Sequence, residues 1–277
     1  MSVPRNFNLL AGFAFAASLA SLAVHIVGDQ ALIYIFKPLA ALLLLTLAIY
    51  NWTRTQQSPA LWISLGLLFS LAGDTFLIAP DKYFVPGLAA FLLTHLAYLV
   101  AFTRDAKFPT RPLVWLLFLA IAAANFFALK PHLPTALTIP VALYAFALST
   151  MTAQAIGRSL LLRTSAAKLA ALGAFFFLIS DTLLAWDRFH TRLPLASFLI
   201  LVPYYIAQLL IAFSTSPGTP TLRFLCSPRL TLWFSFLSVC ASSSFCRNPQ
   251  QSPTRAPSTC PSPVTFATIA PSTRGVN

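Results

Sequence analysis

Four ionisable side chains of this 277-residue chain lie inside long apolar stretches: Lys37, Asp74, His95 and Asp181. At bilayer depth a charged side chain costs ~2.5–3.5 kcal/mol on insertion scales, so each marks a candidate site. Acids are scarce, six in all and every one an Asp, yet two of the six fall in this setting. Two buried carboxyls that share one cation, Lys37, need not both ionise. One would keep its proton and act as a donor, while the other stays charged beside the ammonium. General acid–base catalysis needs that division. A plainer reading has Lys37 neutralise one Asp and tie helices together, which leaves the second Asp without a partner. His95 fits either a site or a hydrogen-bonded core position. Tyr98, Tyr204, Tyr205 and Gln208 are expected to bond between helices and to support the site.

These residues need rigid elements at matched depth. The chain is 58% hydrophobic and 9% charged, with a mean hydropathy of +0.78. A soluble domain carries about 25% charged residues, so this composition excludes one. Apolar runs of roughly the 20 residues that span a bilayer fall at 7–27, 31–50, 60–79, 84–102, 112–129, 135–156, 166–186 and 194–214. They are too long and continuous for barrel strands. The expectation is an all-α polytopic membrane bundle of about eight spans over residues 1–215. The first run also has features of a secretory signal, but further spans follow it, which favours a span. Residues 216–277 form a Ser/Thr/Pro/Arg-rich tail, expected to be loosely ordered or to lie on the surface, with 222–241 a weaker candidate for a ninth span.

The net charge of +12 does not indicate nucleic acid, because Lys and Arg punctuate the apolar runs instead of forming a patch. With the N-terminus inside, the inner segments hold Arg5, Arg54, Arg104, Lys107, Arg111, Arg158, Arg163 and Lys168, and the outer loops only Lys82, Lys130, Arg188 and Arg192. Positive charge gathers on the cytoplasmic side, which predicts both termini in the cytoplasm, in a cell (inner) membrane. On that topology Lys37, Asp74 and Asp181 share a layer ~8–9 Å below the outer boundary, at 1.5 Å per helical residue. His95, Tyr204 and Tyr205 lie deeper, and Gln208 deeper still. A polar chamber open to the outer side is expected. Asp81 and Asp187 stand at the outer rim and are expected to be solvated, with Lys82, Arg188 and Arg192 able to attract a lipid phosphate. His25 and His132 lack partners at metal spacing, and the four cysteines, Cys226, Cys240, Cys246 and Cys260, have no CxxC spacing.

Sliding the chain against itself by 107 residues carries Asp74-Thr75-Phe76-Leu77 onto Asp181-Thr182-Leu183-Leu184, and Tyr98 onto Tyr205. The third and fourth spans thereby fall on the seventh and eighth. Four spans per unit is even, so the halves would form a parallel 4+4 repeat about an axis along the membrane normal.

Phe36-Lys37-Pro38-Leu39, Ser70-Leu71-Ala72-Gly73-Asp74, Phe91 to Tyr98, Ser180-Asp181-Thr182-Leu183-Leu184 and Tyr204-Tyr205-Ile206-Ala207-Gln208 together resemble, in order, the motifs of the YhhN-like membrane proteins. The resemblance covers roughly residues 30–214 and not the tail. Animal members of that family are lysoplasmalogenases, which hydrolyse the vinyl ether of a lysoplasmalogen to a fatty aldehyde and a glycerophospho-alcohol. The resemblance therefore implies a lysophospholipid substrate drawn from the membrane and an ether hydrolase that needs no metal, cofactor or covalent nucleophile. Asp74 and Asp181 would act as acid and base in unspecified order. Lys37 would hold one Asp ionised or bind phosphate, and His95, Tyr98, Tyr204, Tyr205 and Gln208 would orient water and head group. Two rivals fit the same residues: a lipid or small-solute transporter, which would release its substrate intact, and a non-catalytic sensor or assembly factor, which would tolerate loss of both Asp.

Overall fold

The structure, a computed structural model, describes residues 5–216; the Ser/Thr/Pro/Arg-rich tail with its four cysteines and the possible ninth span lies outside the described residues. Eight helices follow one another: α1 (Arg5–Val27), α2 (Gln30–Thr55), α3 (Ser58–Phe76), α4 (Pro80–Thr103), α5 (Pro112–Leu129), α6 (Thr135–Leu162), α7 (Ser165–Phe189) and α8 (Ala196–Phe213). Each is long and apolar enough to cross a bilayer. The chain is thus a multi-pass helical membrane protein. A membrane leaves the backbone no other donors or acceptors, and a helix satisfies its own.

Local chemistry sets the helix starts. Pro59, Pro80 and Pro112 stand in the first turns of α3, α4 and α5, where a missing N–H costs nothing. The side chains of Asp29 and Thr164 cap α2 and α7 by accepting from the backbone N–H groups of Leu32 and Ala167. Several helices outrun the apolar runs. Helix α2 continues to Thr55 and α6 to Leu162, because backbone hydrogen bonding persists where hydropathy has already fallen. Helix α3 does the opposite and stops at Phe76, where a short turn leads to the proline that opens α4. Arg158, expected in an inner connection, is therefore a buried residue of α6. It grips Asp105 through two hydrogen bonds of 2.6 Å.

Packing follows the 4+4 division. Within the first half α1 lies on α2, α2 on α3 and α3 on α4; within the second, α5 lies on α6, α6 on α7 and α7 on α8. The halves meet where α4 packs on α6 and where α8 packs on α1, α2 and α3. Two glycines in register at the 107-residue shift make the tight crossings. A Cβ on Gly66 would fall 2.3 Å from Tyr98 Cε1 on α4, and one on Gly173 would fall 2.7 Å from Ile211 Cγ1 on α8. Small residues at such crossings let membrane helices approach closely.

Helices α2, α4, α6 and α8 each carry an interior proline, Pro38, Pro86, Pro140 and Pro203. Proline removes a ladder hydrogen bond and loosens the turn before it. Lys37 adjoins one of these prolines and Tyr204 another. In the turn before Pro203, Ser180 donates to the Ile200 carbonyl at 2.9 Å, tying α7 to α8 there.

Candidate intramembrane site

Asp74 lies in the last turn of α3 and is 2% exposed. Lys37 on α2 approaches it with Nζ 3.5 Å from Oδ1. From the other half, the Tyr204 hydroxyl on α8 donates to Oδ2 of the same carboxylate. Asp181 lies farther from its helix end than Asp74 does, since α7 runs on to Phe189. The Tyr144 hydroxyl on α6 donates to Asp181 Oδ2 at 2.5 Å, and His95 Nε2 on α4 stands 3.6 Å from that oxygen. One pattern governs both: each Asp on the third helix of its half meets the second helix of its own half and the fourth helix of the other. The partners differ in chemistry. Asp74 faces an ammonium and a phenol; Asp181 faces a phenol and an imidazole.

The two carboxyls open on one cavity of about 170 Å³, whose wall also includes Lys37, Tyr204, Phe91 and Arg188. It reaches the end of the bundle that carries Asp187 and Arg192, the end expected to face outward. The rim differs from expectation. Asp187 is buried at 8% exposure, accepting from the Leu193 N–H at 2.7 Å and from Arg192 at 3.2 Å. Each rim Asp also pairs away from its sequence neighbour. Asp81 receives Arg188, at 2.8 Å across the α4–α7 gap, because the helix ends, not chain adjacency, set those neighbours. Lys82 turns toward the Tyr83 ring, 5.1 Å from its centroid, and does not line the cavity.

The remaining candidates stand behind the wall. Tyr98 donates to Gln208 Oε1 at 3.0 Å, and Gln208 Nε2 donates to the Tyr204 hydroxyl at 3.0 Å and to Ser70. The chain of bonds ends at Tyr204, which touches Asp74, so Tyr98 and Gln208 hold a residue that holds the carboxylate. Tyr205 points the other way, bonding Ser21 of α1 at 2.6 Å. His95 is fully buried, edge-on to Tyr144 and to Phe177 at centroid distances of 5.0 and 4.9 Å. Neither of its ring nitrogens makes a hydrogen bond of ordinary geometry. Tyr144 was not singled out from the sequence, and Ser70 was named only within a motif, because hydroxyl residues are common in spans. The repeat held a signal for Tyr144: the 107-residue shift carries Lys37, partner of Asp74, onto Tyr144, partner of Asp181. Among the described residues no group of His, Cys and Asp side chains is arranged to hold a metal ion.

A polytopic membrane protein with two carboxyls on one cavity, each braced from both halves of the bundle, is the class that fold and side chains define. The chain belongs to the YhhN family, which matches residues 32–215. It is similar to lysoplasmalogenase TMEM86B of Rattus norvegicus, 36% identical over 182 residues, covering 64% of this chain and 72% of the relative. Lysoplasmalogenase TMEM86B of Homo sapiens is 36% identical over 171 residues, covering 61% and 70%. The lysoplasmalogenase of Mycobacterium tuberculosis is 31% identical over 192 residues, covering 65% and 70%. No solved structure matches the chain.

Proposed function

We propose that this protein is a membrane-embedded hydrolase that cleaves the vinyl ether of a lysoplasmalogen, with Asp181 as the acid and Asp74 as the base. The observation that carries the assignment is the asymmetry of partners: Lys37 stands beside Asp74, whereas Asp181 has a phenol and an imidazole. A carboxylate paired with a fixed cation stays ionised; one whose hydrogen-bond donor is a phenol in an apolar wall is the better reservoir of a proton. The names of the relatives supply the substrate class.

The reaction follows from those states. Asp181 gives its proton to the alkenyl carbon beta to the ether oxygen, and the double-bond electrons form that C–H bond. The ether oxygen's lone pair then gives an oxocarbenium ion. A water molecule attacks the cationic carbon while Asp74 takes its proton, forming a hemiacetal. The bond from this carbon to the glycerol oxygen breaks as Asp74 returns its proton to that oxygen and the hemiacetal O–H gives its own to Asp181. The products are a fatty aldehyde and a glycerophospho-alcohol, and Asp181 regains its proton. The negative Asp74 also faces the passing positive charge, an electrostatic contribution that a dry cavity strengthens. Arg188 and Arg192 at the outer mouth suit the phosphate. With the N-terminus cytoplasmic, as the charge distribution favours, that mouth opens on the outer face.

Purified protein in lipid nanodiscs, given an alkenyl lysophospholipid, is expected to release aldehyde. Asp74→Asn and Asp181→Asn are each expected to lose ~10²–10⁴-fold in kcat, the usual contribution of a positioned acid or base. Wild-type activity surviving in both variants would sink the mechanism. Intact lipid crossing the bilayer without aldehyde would indicate a carrier.

A further inference from the structure

Asp181 borders more than the polar cavity. A second hollow of about 330 Å³ lies between α5, α6 and α7, with Asp181 and Tyr144 on its wall. A third of about 50 Å³ lies between the two: it shares Phe91 and Leu184 with the polar cavity and Val141 and Tyr144 with the larger hollow. Asp181 lines all three. The larger hollow is otherwise almost wholly apolar, walled by side chains such as Ile121, Phe126, Leu148 and Leu178. It exists because α5 packs on α6 and scarcely on α7, leaving a cleft floored by α6. Trp186 Nε1 of α7 donates to Asn125 Oδ1 of α5 at 3.4 Å, bridging the two helices along the wall of the cleft.

We infer that this α5–α6–α7 cleft binds the single hydrocarbon chain of the substrate, entering sideways from the bilayer, so that the chain's first carbons lie at Asp181. The inference rests on the hydrolase reading for the identity of the substrate. The carboxyl shared by all three walls commits the cleft to a chain. A vinyl ether has its head group on one side of the reacting carbon and its chain on the other, and Asp181 has a charged cavity on one side and an apolar cleft on the other. One cleft meets the polar cavity at this carboxyl, so a one-chain lipid is accommodated. A lipid with a second acyl chain on the adjacent glycerol carbon would push that chain into the charged cavity, at a desolvation cost to Lys37 and Asp74. Selection for lysolipids over two-chain lipids follows from the same geometry.

The test uses a non-cleavable alkyl lysophospholipid with a photoreactive diazirine near the chain terminus, bound to the full-length protein in nanodiscs. Cross-linked peptides are mapped by mass spectrometry. Labels confined to 121–129, 141–149 and 178–186 are expected, and Ala145→Trp, which fills the floor, is expected to cut them at least tenfold. Labels spread over the outer faces of α1, α2 or α4, or unchanged by Ala145→Trp, overturn the inference. This readout needs no turnover: if the wild type releases no aldehyde but labels the cleft, the hydrolase reading fails and the chain site stands. If aldehyde forms and the labels fall elsewhere, the reverse holds. Where aldehyde forms, the long-chain to short-chain ratio of kcat/KM should also fall at least tenfold in Ala145→Trp.

Discussion

Lys37 and Asp74 are 8% and 2% exposed, and neither would be tolerated in such surroundings alone. Breaking a buried ion pair by removing one partner costs ~3–5 kcal/mol, whereas replacing both is often neutral. Lys37→Met should therefore lower the melting temperature sharply, and adding Asp74→Asn should restore most of it without restoring activity. If the double variant unfolds as readily as the single one, the two side chains are not energetically coupled. Tyr144 offers a second test. Its hydroxyl bonds Asp181, and a hydrogen bond between neutral groups contributes ~0.5–1.5 kcal/mol. Tyr144→Phe should reduce kcat by up to about tenfold with little change in KM. A KM effect alone would move Tyr144 from orienting the acid to contacting the lipid.

Between helices, the glycines decide how close the crossings can be. Gly66→Ala would drive a methyl into Tyr98, and Gly173→Ala would meet both Ile211 and the Ala207 carbonyl oxygen, 2.9 Å away. Overpacking of this kind costs ~1–3 kcal/mol, and Gly173→Ala should be the worse of the two because a backbone atom cannot rotate aside. Gly12 on α1 is the control, with nothing within 4 Å of its added Cβ. There alanine should be neutral or stabilising by up to ~1 kcal/mol, the propensity difference between the two residues. Thermal unfolding of the three variants in one detergent tests the order. Gly66→Ala should also cost activity, since displaced Tyr98 releases Gln208 and through it Tyr204.

At the scale of the molecule, the site depends on two similar halves brought face to face, and its side chains come from six of the eight helices. Orientation in the membrane fixes which face the cavity opens on. Lys130 and Arg163 are both exposed; Lys130 follows α5 in the connection that leads into α6, and Arg163 follows the far end of α6. In a cysteine-free background, Lys130→Cys should react with a membrane-impermeant maleimide on intact cells, and Arg163→Cys only after lysis. The opposite pattern would turn the cavity mouth to the cytoplasm.

The amino-acid sequence alone determined the number of spans, because twenty-residue apolar runs leave a chain in lipid no alternative to helix. It also singled out Lys37, Asp74, His95 and Asp181, because a charge at that depth is costly enough to stand out against an apolar background. Register at 107 residues made the two Asp equivalent. What it left undetermined was direction. Hydropathy says how deep a residue lies but not which neighbour its side chain faces, and that depends on how two helix surfaces interlock. Only the tertiary structure therefore gave Lys37 to Asp74 and Tyr144 to Asp181, turned Tyr205 toward α1, paired the rim Asp residues with Arg188 and Arg192 in place of their sequence neighbours, and opened an apolar cleft beside one carboxyl and not the other. The cleft comes from the sparse packing of α5 on α7, and a sequence does not record which pairs of helices pack loosely.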